Sequence, residues 1–398
     1  MLLSRPSVQG NVRFSKRTAD TMESYIMKLI SVANEPGMIS FATGLPDKRL
    51  FDTSGIAAAA DEVLHSTRVN DALQYGVTEG LLSLRRKIAD RCRKELGFDT
   101  GTDNVFIMNG SQECFDLLGK LFLDRKDKMI VENPGYLGAL QSFSVYGPKF
   151  SGVDLNDNGP DMTQMEKALR QDPKLYYAIP NYQNPSGMCY SDDARKQIAG
   201  MMSDTDCMMI EDDAYGELGF RGRTKRTIRS MNENVIMTGS FSKIISPGMR
   251  IGWMIVPDEL VPFVKRSLEA SCLHANTFSQ AVMDRFLENN DLSKYLIPIR
   301  REYQRKCRLM LDLLKDSIPQ GRWNEPEGGM FIWFRTPDGT DAMRLYEAAL
   351  KEKVVIMPGR PFHVRGGGNT IRLNYATASD EEMKEGMGRL ARAFSSVF

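Results

Sequence analysis

A chain of 398 residues exceeds what one compact hydrophobic core organises and suits two or three packed subregions. Its 42% hydrophobic and 26% charged residues exclude a disordered, collagen-like or coiled-coil chain. Fifty-two basic residues against fifty-one acidic ones leave a formal charge of +1, so no overall field draws nucleic acid or an anionic membrane.

The six cysteines (Cys92, Cys114, Cys189, Cys207, Cys272, Cys307) form no C-x-x-C pair and no zinc-like spacing, which fits reduced thiols and no structural metal. The opening segment MLLSRPSVQGNVRFSKR lacks an apolar core followed by a cleavage site. No apolar run reaches the ~18 residues needed to span a bilayer, so the expected location is the cytoplasm.

In chain order, Met22, Tyr25, Ile26, Leu29 and Ile30 recur at helical spacing over residues 18–32, and Pro36-Gly37 ends that helix. ISFATGLPDKRLF then reads as a strand start followed by a loop, and residues 55–66 resume an Ala-rich helical pattern. Strands are expected at 105–109, 128–133, 175–180, 207–212, 235–240 and 251–256. Helices are expected at 80–96, 112–122, 135–146, 163–171, 192–202 and 258–270. Apolar runs separated by helices indicate an α/β domain on a largely parallel sheet. Beyond residue 290 the pattern changes to a long charged helix (293–317), strands near 329–335, 354–357 and 371–375, and a helix at 341–352, which together read as a second, α+β domain.

The strongest chemical signal is SFSKIISPGMRIGW, residues 240–253, between two predicted strands. Ser240, Ser242 and Arg250 surround Lys243, and hydroxyls with a guanidinium make a phosphate site. A lysine beside such a site suits a phosphorylated cofactor aldehyde. A bare S-x-S-K is more often a surface lysine in a polar loop, but this match is long. Written S-x-S-K-x-x-x-P-G-x-R-x-G-W, it resembles the cofactor-lysine segment of the class I and II aminotransferases, the fold-type-I pyridoxal-phosphate enzymes. Further matches follow in the family's chain order from residue 38 to residue 376.

In IEDDAYGEL (210–218) a predicted strand ends in two carboxylates, which places them where ligands bind in open α/β sheets. Taken alone, the string reads equally well as an acidic loop or helix cap. By resemblance, Asp212 pairs with the cofactor's ring nitrogen, Tyr215 bonds its phenolic oxygen and Asp213 is a bystander. PNYQNPSG (180–187) is by itself a turn; by resemblance Asn184 donates to the same phenolic oxygen. In MNGSQECFDLL (108–118) a strand runs into a helix whose N-terminus suits an anion, with Ser111 and Gln112 as added phosphate donors; an ordinary Ser cap is the bland alternative. Tyr136 in ENPGYLGAL resembles the aromatic that stacks on the cofactor ring, or is a core tyrosine. Tyr75 in LQYGVTEGLLSLRRKIA matches the tyrosine that reaches the cofactor phosphate of a second subunit, which implies a homodimer.

Arg372, in GGGNTIRLNYA, sits in an otherwise apolar strand, which is hard to justify without a partner. It matches the family's arginine for the substrate α-carboxylate, with Asn184 and Gly44 alongside. The segments ISFATGLPDKRLF, QNPSG and EDDAYGEL are most similar to the 2-aminoadipate and kynurenine aminotransferase branch. Thr43 stands where the family usually has Gly, and Ala214 where it commonly has Pro. Relatives that grip an acidic side chain often carry an Arg in the leading helix, whereas residues 18–34 hold only Lys28. Met22, Tyr25, Met27 and Leu29 there favour a neutral, apolar or aromatic substrate.

The resemblance implies a mostly parallel seven-stranded sheet in a large domain (51–290), an N-terminal arm with part of the small domain (1–50) and a C-terminal small domain (291–398). It implies pyridoxal 5'-phosphate as cofactor, no metal, and amino-group transfer from an L-amino acid to a 2-oxo acid. Rivals are racemase, β-lyase or decarboxylase chemistry on the same scaffold, or a non-catalytic effector-binding module behind a DNA-binding domain, for which residues 1–35 are too few.

Overall fold

The computed structural model describes Ser15, Arg17, Leu29 and residues 31–398. The leading helix expected at 18–32 lies largely outside the described residues. Of its apolar positions Leu29 is described; it is helical and buried in a cluster with Ala42, Leu137, Trp333, Val355, Met357 and Phe362.

The strands, in chain order, are β1 (Ile39–Ser40), β2 (Val105–Met108), β3 (Lys128–Asn133), β4 (Lys149–Asn156), β5 (Gly159–Pro160), β6 (Leu175–Ala178), β7 (Met208–Asp212), β8 (Ile236–Ser240), β9 (Gly252–Ile255), β10 (Arg322–Trp323), β11 (Phe331–Arg335), β12 (Val354–Val355), β13 (Met357–Pro358) and β14 (Thr370–Asn374). The large sheet has the order β2-β9-β8-β7-β6-β3-β4-β5. Strands β8, β7, β6, β3 and β4 are parallel neighbours, while β9 lies antiparallel between β2 and β8. The eighth strand is the two-residue β5, which folds back on β4 at the edge and extends the seven-stranded arrangement implied by the resemblance.

Alternation along each strand divides the core between the two faces of this sheet. Met129 and Val131 of β3, Leu175 and Tyr177 of β6 and Ile210 of β7 join one cluster with Phe115 and Phe143. Ile130, Tyr176, Ala178 and Met209 join the other, with Ile198 and Met202 of the helix Asp192–Ser203. Helices therefore cover both faces, and the open edge lies where the parallel strands end.

Three expectations needed correction. Strand β4 was not foreseen: KFSGVDLN is a partly exposed edge strand with only Val153 buried, so it lacks an apolar run. The helices Thr277–Asn289 and Asp380–Val397 were also missed, although the second opens on a Ser379/Glu382 capping box.

The smaller antiparallel sheet has the order β10-β11-β14-β13 and places Arg372 of β14 opposite Trp333 and Met357. Strand β1 pairs with β12, so the segment before residue 50 joins the C-terminal third of the chain. From β1 the chain crosses toward the large sheet through residues 41–47, and C-terminal side chains fasten it there. The Asn374 amide donates to the carbonyls of Thr43 and Leu45 (2.5 and 3.3 Å), and the buried Lys306 amine donates to Asp47 Oδ2 (2.8 Å) and the Ala376 carbonyl (2.6 Å). The buried Lys306 charge thus finds a carboxylate and a carbonyl, which its desolvation demands.

Candidate active site

The site forms where β6, β7 and β8 end, beside the 41–47 segment and Arg372. In a sheet with helices on both faces, the carboxyl ends of parallel strands open into the ligand crevice.

The loop 241–251 joins the antiparallel strands β8 and β9, and Lys243 follows the end of β8 closely. Ser240 Oγ accepts the Ser242 N–H (3.1 Å), and the Lys243 amine donates to the Gly44 carbonyl at 2.9 Å. Burial lowers the Lys243 pKa to about 8; Arg372 and Arg250 push the same way and Asp212 opposes them. An enclosed amine near cationic groups is neutral, and so nucleophilic, far more often than a surface lysine.

Asp212 closes β7 with both oxygens engaged. Tyr177 of β6 donates to Oδ2 at 2.7 Å, and Thr238 of β8 donates to Oδ1 at 3.2 Å. Burial raises its pKa to about 6, against the hydrogen bonds of Tyr177 and Thr238. Such a carboxylate is poised to ionise beside a cationic group. Tyr177 and Thr238 were not anticipated; the legible signal was a hydroxyl in each of two buried strands, where every polar group needs a partner.

The Asn184 amide donates to the Tyr215 hydroxyl (3.1 Å), and its oxygen accepts from Arg372 Nη1 (2.8 Å). Arg372 is 2% exposed, donates Nη2 to the Ala42 carbonyl (2.5 Å), and lies over the rings of Phe331 and Phe362 at 4.5 and 5.1 Å. Its Nε is buried without a hydrogen-bond partner. Burial lowers its pKa to about 10, so it stays cationic at neutral pH. A buried cation with no carboxylate beside it and a free N–H among the described residues is a receptor for an anion. Gly44 borders it: a Cβ there would stand 3.8 Å from Arg372 Nη1 and 3.7 Å from Phe331.

A second anion corner forms at the start of the helix Ser111–Phe122. Gly110 has φ +85°, and a Cβ there would lie 2.5 Å from Arg250 Nη2. A Cβ on Gly252 would reach the Ser111 nitrogen at 2.9 Å. Two glycines therefore let a guanidinium and a helix N-terminus approach one point, which suits a phosphate. Arg250 is in the left-handed conformation and donates to the carbonyls of Asn109 (3.0 Å) and Pro247 (3.3 Å).

The remaining candidates are placed as follows. Gln112 donates its amide to the Gly138 carbonyl (2.8 Å), bracing the turn that carries the half-buried Tyr136. Tyr75 is 78% exposed, and its ring meets His274 edge-on at 5.8 Å. Within one chain it is not drawn into the cluster around Lys243. Asp213 points away from Asp212, toward Asn181 and Arg223. Among the described residues no group of three or more His, Cys, Asp or Glu is arranged to hold a metal ion, and no helix is long and apolar enough to cross a membrane.

A cofactor with a phosphate, a reactive aldehyde and a basic ring nitrogen fits this set. The glycine-cleared corner would take the first, the depressed Lys243 amine the second and Asp212 the third. Residues 37–390 match the family described as aminotransferase class I and II, and the chain belongs to it.

Among its relatives, the 2-aminoadipate transaminase of Thermus thermophilus is 36% identical over 96% of this chain and 97% of its own length. Aromatic-amino-acid aminotransferase 1 of Thermococcus litoralis is 33% identical, covering 98% of this chain and 95% of its own. The crystal structure of the α-aminoadipate aminotransferase of Thermus thermophilus, complexed with N-(5'-phosphopyridoxyl)-L-leucine, superposes with a TM-score of 0.88 at 35% identity over 96% of this chain and 97% of that one. The protein is a pyridoxal-phosphate-dependent aminotransferase acting on amino acids and 2-oxo acids.

The lowered pKa of Lys243 has a measurable consequence. In cofactor-free enzyme, acylation of Lys243 by an amine-selective reagent, followed by peptide mapping, should rise about tenfold per pH unit below its pKa and level off near pH 8. Surface lysines should keep rising toward pH 10. A Lys243 profile that rises with theirs would contradict the burial argument.

Proposed function

We propose that this enzyme transfers the α-amino group of neutral, apolar or aromatic L-amino acids to a 2-oxo acid, as a cytoplasmic homodimer with shared active sites. The observation that carries the reading is the convergence of the Lys243 amine, the Asp212 carboxylate, the Asn184–Tyr215 pair and the Arg372 guanidinium at one strand edge.

Pyridoxal phosphate, when bound, supplies the aldehyde that captures the amino group and the electron-poor ring that weakens the substrate Cα–H bond. Lys243 would hold the cofactor through its amine, and once freed that amine is the group that would move the substrate Cα proton, as base and then as acid. Asp212 would pair with the ring nitrogen and keep it protonated, its oxygens fixed in place by the bonds from Tyr177 and Thr238. Asn184 and Tyr215 would donate to the phenolic oxygen, and Tyr136 would stack on the ring. Ser111, Gln112, Ser240, Ser242 and Arg250 would serve the phosphate, joined by Tyr75 of the partner subunit. Arg372 takes the substrate carboxylate with its unpaired Nε and an adjacent Nη, beside Asn184 and Gly44.

The exposed Tyr75, together with the exposed Leu73, Val77 and Leu82 around it, supports the homodimer, because a second chain would cover this apolar surface. The cysteines, all unpaired, support the cytoplasm. The substrate preference is supported by the walls around Arg372, which are the rings of Phe331 and Phe362.

Arg372→Ala should lower kcat/KM by roughly a hundredfold or more, since a charge-assisted bidentate pair in a desolvated site is lost, and Lys at that position should restore little. Aromatic and aliphatic donors should exceed 2-aminoadipate and glutamate in kcat/KM. A wide margin in favour of either diacid would refute the preference, and racemised substrate or ammonia without 2-oxo acid would refute transamination.

Shared sites have a separate test. Lys243→Ala and Tyr75→Ala subunits, each inactive alone, should regain partial activity on mixing, because one composite site is intact. No recovery after proven subunit exchange would count against sharing.

A further inference from the structure

Asp212 and Asp213 are consecutive, yet strand geometry turns them in opposite directions. Asp213 is buried behind the site. One of its oxygens accepts from the Asn181 amide at 2.6 Å, and the other is ion-paired with Arg223. Arg223 also donates to Glu217 Oε1 (3.0 Å). Glu217 in turn accepts from Arg300 of the long helix Leu292–Ser317 (3.0 Å) and pairs with Arg91 of the helix Leu82–Arg91 (2.5 Å). Burial works against these charges, but Asp213 and Glu217 hold the Arg223 guanidinium protonated, and Arg91, Arg223 and Arg300 hold the Glu217 carboxyl ionised.

Two features indicate that this cluster serves geometry. Buried ion clusters are poor sources of stability, and this one leaves Arg223 Nη1 without a partner. It also presses against the backbone directly after Tyr215: a Cβ on Gly216 would collide with Asp213 Oδ1 and Arg223 Nη2. Asn181 closes the arrangement. Its oxygen accepts from the fully buried Arg195 (2.7 Å), while its amide reaches Asp213 from the loop that carries Asn184.

We propose that Asp213 is a positioning residue: through Asn181 and Arg223 it locks the loop bearing Asn184 to the segment bearing Asp212 and Tyr215. The Asn184–Tyr215 hydrogen bond bridges those two segments on the site side, and Asp213 bridges them from behind. Losing the rear bridge lets the two donors drift apart without removing either. The inference rests on the reading that Asn184 and Tyr215 address the cofactor's phenolic oxygen.

Donation to that oxygen favours its anionic form, so weaker donation raises the pH at which the Lys243-bound cofactor loses its proton. The test is the pH titration of the visible absorbance band of holoenzyme. Tyr215→Phe, the direct reference, should raise the midpoint. Asp213→Ala and Asn181→Ala should raise it in the same direction by roughly half a unit or more, and Asp213→Asn, which keeps an acceptor for Asn181, by less. Where Asp213→Ala does not fold, Asn181→Ala carries the test, because Asn181 forms none of the ion pairs. Wild-type midpoints in Asn181→Ala and in whichever Asp213 variants fold, alongside a shifted Tyr215→Phe, would overturn the role of Asp213 alone. An unshifted Tyr215→Phe would overturn the reading of the donor pair, and this inference with it.

Discussion

A lysine amine enclosed beside two guanidinium groups gives up much of its affinity for a proton, and the architecture of the site follows from that cost. Lys243 reaches its place because β8 turns back into β9 through the loop 241–251, at the edge where the parallel strands stop. Burial lowers its pKa to about 8, with Arg372 and Arg250 adding to the effect. The amine settles on the Gly44 carbonyl, an acceptor that asks for no charge. That carbonyl is available because Asn374, bonded to Thr43, and Lys306, bonded to Asp47, fasten the 41–47 segment from the C-terminal part of the chain. A nucleophile on the large sheet is thus completed by a backbone group held by another region.

The acidic residues divide the opposite problem. Asp212 is buried under hydroxyl donors and can take up a proton or share one, which suits a group that must face a ring nitrogen. Asp213, one residue on, is committed to Arg223 and Asn181. Two adjacent carboxylates with the same intrinsic chemistry diverge because a strand turns successive side chains to opposite sides. One faces the ligand crevice and the other an ion cluster that joins two helices to the loops behind it.

Much of this was legible in the sequence because the segments concerned are locally constrained. Runs such as KMIVEN and LYYAIP are apolar on both faces and became central strands, whereas KFSGVDLN became an edge strand whose half-exposed pattern carries no such signal. Ser242, Lys243 and Arg250 share one loop, and Ser240 ends the strand before it, so spacing alone brought them to notice. Partners far apart in the chain were invisible: nothing near Asp212 names Tyr177 or Thr238, which arrive only when β6, β7 and β8 align. Asp213 was read as a bystander because the resemblance assigns the ring-nitrogen role to Asp212, and its own partners Asn181 and Arg223 lie on separate loops that the spacing around it does not reveal. Gln112 could be placed near the phosphate corner, but not its amide's attachment to Gly138.

The most direct measurement on the account as a whole is reductive fixation. Borohydride treatment of the pyridoxal-phosphate-loaded enzyme, followed by proteolysis and mass mapping, locates the covalently held cofactor. The account requires the label on the peptide containing Lys243, and its loss in Lys243→Ala with cofactor still bound noncovalently. A label on any other lysine, or one that persists in Lys243→Ala, would contradict it.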